Sequence, residues 1–144
     1  MRIIFMGTPD FAVPSLRALL RSEYEVVGIV TQPDRPKGRG QKLVFSPVKQ
    51  VAQNHGLPIL QPEKMKSPEL LQTLADWRPD MIAVSAFGRI LPKNILELPP
   101  GGCVNVHGSL LPQYRGAAPI QWSLINGDVA VSYTHLTLPT ICSV

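Results

Sequence analysis

The sequence contains only two cysteines, Cys103 and Cys142. Their separation does not match the short spacings of zinc ligands, and one pair cannot form the disulfide framework that stabilises small secreted domains. We therefore expect a protein of the reducing cytoplasm that holds no metal ion.

Long hydrophobic runs and an export signal are also missing. No apolar run approaches the roughly 20 residues that a membrane-spanning helix requires. The chain begins with an apolar segment at residues 2–6, without the basic region, apolar stretch and cleavage site of a signal peptide. Its 144 residues, 44% hydrophobic and 17% charged, match one soluble domain or a piece of a larger protein. We expect no association with a membrane.

Charge is absent from the end of the chain. After Asp128 no Asp, Glu, Lys or Arg occurs up to Val144, although charged residues are regular before that point. Residues 131–144 alternate weakly between apolar and polar types, which is compatible with a strand. The same segment is equally compatible with sequence that is foreign to the gene.

Positive charge, in contrast, is concentrated in one segment. Residues 31–50 hold five basic residues and one acidic residue, so this window alone accounts for the net charge of +4. Within it, residues 31–42 include two prolines and two glycines, which exclude a regular helix or a central strand. We expect a loop that presents basic side chains outward, either toward the phosphates of a nucleic acid or only as a solubilising surface.

Strand and helix patterns alternate along the rest of the chain. Short apolar runs predict strands at residues 2–6, 25–30, 80–86 and around Asn105. Serine followed by proline predicts helix starts at Ser46 and Ser67, and Asp10 is predicted to cap the first helix. This alternation predicts an α/β fold with a doubly wound, mostly parallel sheet.

Several conspicuous residues are interpreted as structural. The turn at Gly7 lacks the second and third glycines of a dinucleotide-binding loop, and Pro9 offers no backbone N–H to a pyrophosphate, so no nucleotide site is predicted there. Trp77 and Trp122 lie beside apolar residues in predicted helices, so both are expected in the core. His55, in the last turn of a predicted helix, is expected to serve that helix end.

The segment at 103–112 carries the strongest indication of function. Because side chains alternate along a strand, Asn105 and His107 share a face with Cys103, while the valines on either side of Asn105 are expected to point into packing. Glycine and proline then end the strand, which places the amide and the imidazole at the carboxyl edge of the sheet, where α/β folds bind ligands. These groups suit acyl transfer, although a histidine at a strand end is as often only structural.

The motifs around these residues resemble those of a known family. Asn-Val-His-Gly-Ser-Leu-Leu-Pro at 105–112 is similar to the signature of the folate-dependent formyltransferases, and Thr-Gln-Pro-Asp-Arg-Pro at 31–36 is similar to that of the members that act on tRNA. Further similarity at 3–12, 46–49 and 114–120 extends the match from residue 2 to about residue 128. The chain thus resembles the amino-terminal domain of the methionyl-tRNA formyltransferases.

This resemblance implies a Rossmann-like formyltransferase domain, 10-formyltetrahydrofolate as the formyl donor, initiator methionyl-tRNA as the acceptor, and a monomer. It makes Asn105 and His107 catalytic. The folate-binding residues that it implies are Ser109, Leu110, Leu111, Pro112, Phe87, Gly88, Arg89 and Leu91. The tRNA-binding residues that it implies are Arg35, Lys37, Arg39 and Lys42, with Arg39 foremost.

The chain departs from the family pattern at its end. The family uses an aspartate downstream of the Ile-Asn-Gly-Asp turn found here at 125–128, whereas residues 129–144 contain no acidic residue. This favours a partial formyltransferase domain at 1–130 and non-native sequence at 131–144; the carboxyl-terminal barrel domain of the family is not part of this sequence. We expect a sheet that is incomplete at its carboxyl end and little or no transfer activity, because His107 lacks a carboxylate partner.

Two other functions stay open at this point. Another folate-dependent formyltransferase acting on a small amine, or a formyltetrahydrofolate hydrolase, would keep its activity when the charges of the basic loop are reversed. A non-catalytic module that binds folate or RNA would show binding without turnover. Titrations at several salt concentrations separate these ligands, because phosphate contacts weaken steeply with salt.

Overall fold

A computed structural model describes residues 1–37, 42–109, 111–116, 118–127 and 134–137 of the chain. Its strands are β1 (Arg2–Gly7), β2 (Glu25–Val30), β3 (Arg35–Lys37), β4 (Lys42–Val44), β5 (Ile59–Leu60), β6 (Met81–Ser85), β7 (Cys103–His107) and β8 (Thr134–Thr137). Its helices are α1 (Val13–Arg21), α2 (Pro47–Asn54), α3 (Pro68–Asp76), α4 (Lys93–Leu96) and α5 (Pro119–Ile125), with a 3₁₀ turn at Asp10–Ala12 before α1.

The main sheet has six strands in the order β5-β2-β1-β6-β7-β8. The first five run parallel, and β8 pairs antiparallel with β7 at one edge. From the central strand β1 the chain moves outward through β2 and β5 on one side, and later through β6 and β7 on the other. This reversal of direction confirms the predicted doubly wound fold and puts its switch point between β1 and β6.

The core lies on both faces of the sheet, as expected for parallel strands that read as continuous apolar runs. One cluster of buried side chains joins the sheet to α3 and α4, and includes Ile4, Met6, Ile82, Leu74, Ile95 and Cys103. The other joins the sheet to α1 and α2, and includes Phe5, Ile29, Leu16, Val48 and Ala52. These two layers fix the strand ends that carry the candidate site.

The two helix starts predicted from serine and proline are confirmed. The Ser46 hydroxyl accepts a hydrogen bond from the backbone N–H of Lys49 at 3.1 Å, and the Ser67 hydroxyl accepts one from Leu70 at 3.2 Å. The predicted cap at Asp10 is wrong, because Asp10 begins the 3₁₀ turn and makes no capping hydrogen bond there. Residues 10–12 therefore form the 3₁₀ turn, and α1 begins only at Val13.

The tryptophans differ from each other. Trp77 ends α3 and packs against the core, as predicted, with its ring over the backbone of Gly28. Trp122 is 52% exposed on α5, so its assignment to the core is wrong. Ile120, Leu124 and Ile125 are also exposed, because this helix has little structure packed against it in the described part of the chain.

Side chains of β7 also depart from the prediction in part. Cys103 is buried in the core, whereas Val104 and Val106 are only half-buried and belong to neither core cluster. The valines face the side of the sheet on which α1 lies, and that side is incompletely covered near the sheet edge. Alternation therefore holds, but burial does not follow from it in a strand next to the edge strand.

The basic segment forms a hairpin of its own. Strands β3 and β4 pair antiparallel as a separate two-stranded sheet, with Arg35 opposite Val44 and Lys37 opposite Lys42. We call these two strands and the residues between them the basic hairpin; residues 38–41, which include Arg39, lie outside the described residues. In the described residues this segment is neither a helix nor a central strand, as predicted, but part of the predicted loop forms the short strands β3 and β4.

Candidate active site

Four parallel strands end at one edge of the sheet and bring polar groups to it. Strand β1 leads into Thr8, β2 into Thr31 and Gln32, β6 into Phe87, and β7 ends at His107. Parallel strands present their carboxyl ends on the same side, next to the switch point where open α/β folds place their ligands. The predicted position of Asn105 and His107 at this edge is confirmed.

The turn after β6 is held by side chains from two neighbouring strands. The carbonyl oxygen of Phe87 accepts hydrogen bonds from Thr8 Oγ1 at 3.2 Å and from Gln32 Nε2 at 2.9 Å. At Gly88 φ is +78°, and a Cβ there would lie 2.4 Å from Gln32 Nε2. Glycine adopts this backbone conformation without strain and leaves room for the Gln32 side chain.

The side chains of this turn point in different directions. The Phe87 ring is buried in the core and Leu91 packs against it, so any contact of Phe87 with a ligand would involve its backbone. Arg89 Nη1 donates to the carbonyl oxygen of Glu63 at 2.7 Å, while Ile90 is exposed. The backbone of the turn is thus held by hydrogen bonds, and two of its apolar side chains pack into the core beneath it.

His107 is held by two hydrogen bonds. Its Nδ1 lies 2.9 Å from Ser109 Oγ, and its Nε2 lies 3.3 Å from the carbonyl oxygen of Gly116. Ser109 Oγ donates its proton to the carbonyl oxygen of Gln113 at 2.8 Å, so toward His107 it can only accept. Each nitrogen of the ring thus lies within hydrogen-bond distance of one oxygen atom, and the two contacts fix the orientation of the ring.

Asn105 lies two residues before His107 on the same face of β7 and is half-buried. Within the described part of the chain, its amide makes no side-chain hydrogen bond, in contrast to the imidazole of His107. Its N–H groups are therefore not committed to those residues and can serve a ligand at the edge of the sheet.

The segment that follows β7 turns back toward the histidine. Ser109 is fully buried, Leu111 is half-buried and Pro112 is exposed after a cis peptide bond; Leu110 lies outside the described residues. Further on, Tyr114, Arg115, Gly116 and Trp122 line an open depression. Since Gly116 also contacts the His107 ring, this depression adjoins the imidazole.

A polar network lies at the base of the basic hairpin. Lys49 Nζ on α2 forms an ion pair with Asp34, the residue before β3, and donates a hydrogen bond to Gln61 Oε1 at 2.8 Å. Burial alone would raise the pKa of Asp34, but hydrogen bonds from Lys49 and Gln61, together with the charge of Lys49, lower it below its usual value. Among the predicted tRNA-binding residues, Arg35 is exposed, and the backbones of Lys37 and Lys42 lie opposite each other in β3 and β4.

Sequence reasoning missed Thr8, Gln32, Lys49 and Gln61. Their hydrogen bonds join residues far apart in the chain, such as Thr8 and Phe87, which are 79 positions apart. The available signals were their places directly after strands or in the first turn of a helix and, for Thr8, Gln32 and Lys49, their inclusion in the segments that resemble the family. In the described residues, no three His, Cys, Asp or Glu side chains come together as a metal site, and no helix has the length and apolar character to cross a bilayer.

The fold and the candidate site together define an α/β protein with polar groups gathered at the carboxyl edge of a doubly wound sheet. A profile of the formyl transferase family matches residues 1–137. The chain belongs to the formyl transferase family.

Within this family, the chain is similar in sequence to methionyl-tRNA formyltransferases. The chain is 62% identical over 138 residues to a methionyl-tRNA formyltransferase of Desulfotalea psychrophila, which covers 96% of this chain and 43% of that protein. It is 56% identical over 136 residues to a methionyl-tRNA formyltransferase of Acetivibrio thermocellus, covering 94% and 44% of the two chains. The chain therefore spans less than half the length of these relatives.

Solved structures share the fold. Glycinamide ribonucleotide transformylase 1 of Symbiobacterium toebii superposes with a TM-score of 0.73 at 16% identity, over 97% of this chain and 66% of that one. A formyltetrahydrofolate deformylase of Pseudomonas syringae superposes with a TM-score of 0.73 at 15% identity, over 98% of this chain and 47% of that one. At such identities the likeness concerns the fold alone.

Proposed function

We propose that the protein to which this chain belongs transfers a formyl group from 10-formyltetrahydrofolate to the amino group of initiator methionyl-tRNA. The observation that carries the proposal is the pair Asn105 and His107 at the carboxyl edge of the sheet. Their motif lies in a chain that is more than half identical to methionyl-tRNA formyltransferases over nearly its whole length. We further propose a monomeric, cytoplasmic enzyme that uses no metal.

The reaction requires two kinds of functional group from the protein. The neutral amine attacks the formyl carbon, a new C–N bond forms, and the bond from that carbon to the folate nitrogen breaks. The amine loses one proton and the folate nitrogen gains one, so no external oxidant or base is consumed. Negative charge develops on the formyl oxygen during attack, so the site needs a fixed hydrogen-bond donor there and a group that manages the proton.

Asn105 and His107 fit these two roles. The uncommitted amide N–H of Asn105 is a suitable donor to the developing oxyanion. His107 Nε2 makes the longer of the two imidazole contacts, 3.3 Å to Gly116, and a substrate can displace this one while Ser109 still holds Nδ1. The released N–H then serves either as a second oxyanion donor or as the carrier of the transferred proton.

For the folate we propose the turn at Phe87, Gly88, Arg89 and Leu91 and the segment Ser109, Leu110, Leu111 and Pro112. The turn is proposed because hydrogen bonds hold its backbone and because two of its apolar side chains pack beneath that backbone. A planar heterocycle is bound well by apolar contact and a few fixed polar groups. The fully buried Ser109 would act through its backbone and through His107, because its hydroxyl is already bonded within the protein.

For the tRNA we propose Arg35, Lys37, Arg39 and Lys42 of the basic hairpin. Guanidinium and ammonium groups close together in the sequence suit contacts to phosphates, which are the main source of affinity for a polynucleotide. The chain enters the hairpin from the carboxyl end of β2, which lies at the same edge of the sheet as the carboxyl end of β7.

We also propose that residues 1–130 form a formyltransferase domain, that residues 131–144 are non-native sequence, and that the 144-residue polypeptide alone transfers little formyl. What supports the last point is that no acidic residue follows Asp128. The described partners of His107 are a hydroxyl and a carbonyl oxygen, neither of which neutralises an imidazolium as a carboxylate does.

The test uses a hybrid of the relatives' full length, made by joining residues 1–127 of this chain to the remaining part of the Desulfotalea psychrophila relative. The hybrid should formylate methionyl-tRNA, and Asn105→Ala should lower its kcat by about 10²- to 10³-fold, the usual loss for one oxyanion donor. Asn94→Ala removes an exposed amide on α4 and is the matched control. Unchanged turnover in Asn105→Ala would contradict the assigned role.

The acceptor is tested by charge reversal. Arg35→Glu with Arg39→Glu should raise the KM for methionyl-tRNA, whereas Arg17→Glu with Arg21→Glu on α1 changes the net charge equally and should not. Activity on a small amine, or release of formate, that survives reversal in the hairpin would favour the other formyltransferases or the hydrolase. Binding of a folate analogue by the hybrid without any turnover would favour a non-catalytic module.

A further inference from the structure

The basic hairpin leaves and rejoins the body of the protein through two short segments that are joined to each other. Thr31 Oγ1 lies 2.8 Å from Ser46 Oγ, which links the residue after β2 to the residue before α2. Nearer the hairpin, Lys49 of α2 pairs with Asp34. The hairpin is thus closed at its base by two side-chain contacts, one neutral and one charged.

Lys49 is enclosed in this arrangement. Its side chain is only 13% exposed and that of Asp34 is 17% exposed. Its ammonium also lies 4.2 Å from the centre of the Phe45 ring, over the residue that follows β4. A lysine with a carboxylate, an amide oxygen and an aromatic ring around it has its charge satisfied within the protein and is poorly placed to bind a phosphate.

The network continues from the hairpin to the strand ends of the main sheet. Gln61, directly after β5, donates from Nε2 to Asp34 Oδ1 at 2.9 Å and to the carbonyl oxygen of Gln32 at 3.0 Å. The side chain of Gln32 in turn donates to Phe87. An unbroken series of hydrogen bonds therefore leads from Lys49 to the turn that follows β6.

We propose that Lys49 is a positioning residue, which fixes the base of the basic hairpin to the edge of the sheet through Asp34 and Gln61 and thereby sets where the hairpin presents its charges to the acceptor RNA. The role of the RNA rests on the proposed function; the attachment of the hairpin does not. Lys49 differs in this from the basic residues of the hairpin itself, which carry the charges that it orients.

The attachment is tested first, on the 144-residue chain. Asp34→Asn removes the charge pair but keeps every trypsin site of the hairpin. We expect cleavage after Lys37 and Lys42 to accelerate at least about fivefold relative to cleavage after Arg21, because proteolysis follows local opening. Glu97→Gln removes the carboxylate of the exposed Lys93–Glu97 pair and is the matched control, since it changes the net charge equally.

Gln61→Leu provides a second variant that changes no charge, and it should accelerate the same cleavages. An unchanged ratio of hairpin to Arg21 cleavage in both variants would overturn the proposal. Equal acceleration at all sites would also overturn it, because the network would then serve the stability of the whole domain rather than the attachment of the hairpin.

The consequence for RNA is tested on the full-length hybrid. Lys49→Met should raise the KM for methionyl-tRNA by about tenfold, the scale expected when a binding element is misplaced, and should leave kcat and the KM for the formyl donor unchanged. Lys49→Arg should restore the KM, because a guanidinium can still reach Asp34 and Gln61. Equal losses for both substrates would show a structural defect only.

Asp34→Asn separates positioning from direct contact. If Lys49 itself bound phosphate, removing its partner would free it, and the hybrid would bind tRNA more tightly than the Glu97→Gln control. Positioning predicts the opposite sign, weaker binding than in that control. If the unaltered hybrid fails to formylate methionyl-tRNA, the proposed function is wrong, and the trypsin ratio still decides whether Lys49 attaches the hairpin.

Discussion

The imidazole Nδ1 of His107 lies 2.9 Å from the hydroxyl oxygen of Ser109, and that hydroxyl is itself tied to the carbonyl oxygen of Gln113. Ser109 is fully buried, so the ring contacts a side chain that is itself enclosed by the protein. The orientation of the histidine is therefore set by the segment that follows β7 and not by β7 alone.

Ser109→Ala should lower the kcat of the full-length hybrid by about 10- to 100-fold, because the Ser109 hydroxyl orients the imidazole to which the proposed function gives a role in catalysis. The KM for the formyl donor should change little. Ser123→Ala is the matched control: Ser123 is also buried, and its hydroxyl also donates to a backbone carbonyl, that of Pro119 at 3.0 Å. Equal kinetic losses in the two variants would contradict a specific role for Ser109.

Gly28→Ala should destabilise the domain strongly. A Cβ at Gly28 would lie 2.2 Å from the Trp77 ring, so the ring must move out of a packed layer, which costs about 1–3 kcal/mol or more. Urea unfolding measures the loss. Gly116→Ala has open space at the same atom and is the control.

The double variant Gly28→Ala, Trp77→Leu should recover part of the loss. The double-mutant cycle then gives a coupling energy between positions 28 and 77, as expected for residues in direct contact. Strict additivity of the two changes would show that the close approach of ring and backbone is not what limits the substitution.

Cys103 should resist thiol reagents in the folded chain. Its thiol is buried and burial raises its pKa to about 11, so at about pH 8 it is protonated as well as inaccessible. In a Cys142→Ser background, labelling should occur only as fast as the domain unfolds and should accelerate in urea. Rapid labelling without denaturant would contradict the burial of this side chain.

The same shift predicts a fall in stability at high pH. Between the ordinary pKa of 9.0 and about 11, the unfolded chain releases the thiol proton while the folded chain retains it. The folded state then binds more protons, so the free energy of unfolding decreases as pH rises through this window. Cys103→Ala should remove that part of the pH dependence.

The Asp34–Lys49 pair predicts a pH dependence of the opposite kind. Because the pKa of Asp34 is lowered in the folded chain, its contribution is complete above the ordinary value of 3.8 and is lost as pH falls through the lower folded value. Asp34→Asn should therefore cost about 1–3 kcal/mol at neutral pH and almost nothing in strong acid. Glu97→Gln, from an exposed pair, should cost less than about 0.5 kcal/mol at either pH.

Features set by nearby residues could be predicted from the sequence. The helix starts at Ser46 and Ser67 depend on a hydroxyl and a backbone N–H three positions apart, so the local pattern is sufficient. The buried strands, and their alternation with helices along the chain, could be predicted from apolar runs in the same way. The position of Asn105 and His107 at a strand end followed from periodicity and a terminating glycine.

Features that depend on distant partners could not be predicted. Trp122 looks like a core residue because its neighbours are apolar, but burial depends on what packs against α5, which no local pattern records. The half-burial of Val106 has the same cause at the edge of the sheet. Gln32 and Phe87 are 55 positions apart, and only the order of strands brings them within 2.9 Å.

In the part of the basic hairpin that the structure describes, β3 and β4 pair only with each other and form a sheet separate from the main one. The length and composition of the hairpin can therefore change during evolution without shifting the register of any strand that carries the chemistry. If the hairpin contacts the acceptor, as proposed, a hairpin of different length or composition inserted between Asp34 and Lys49 should change the choice of amine and leave the main sheet intact.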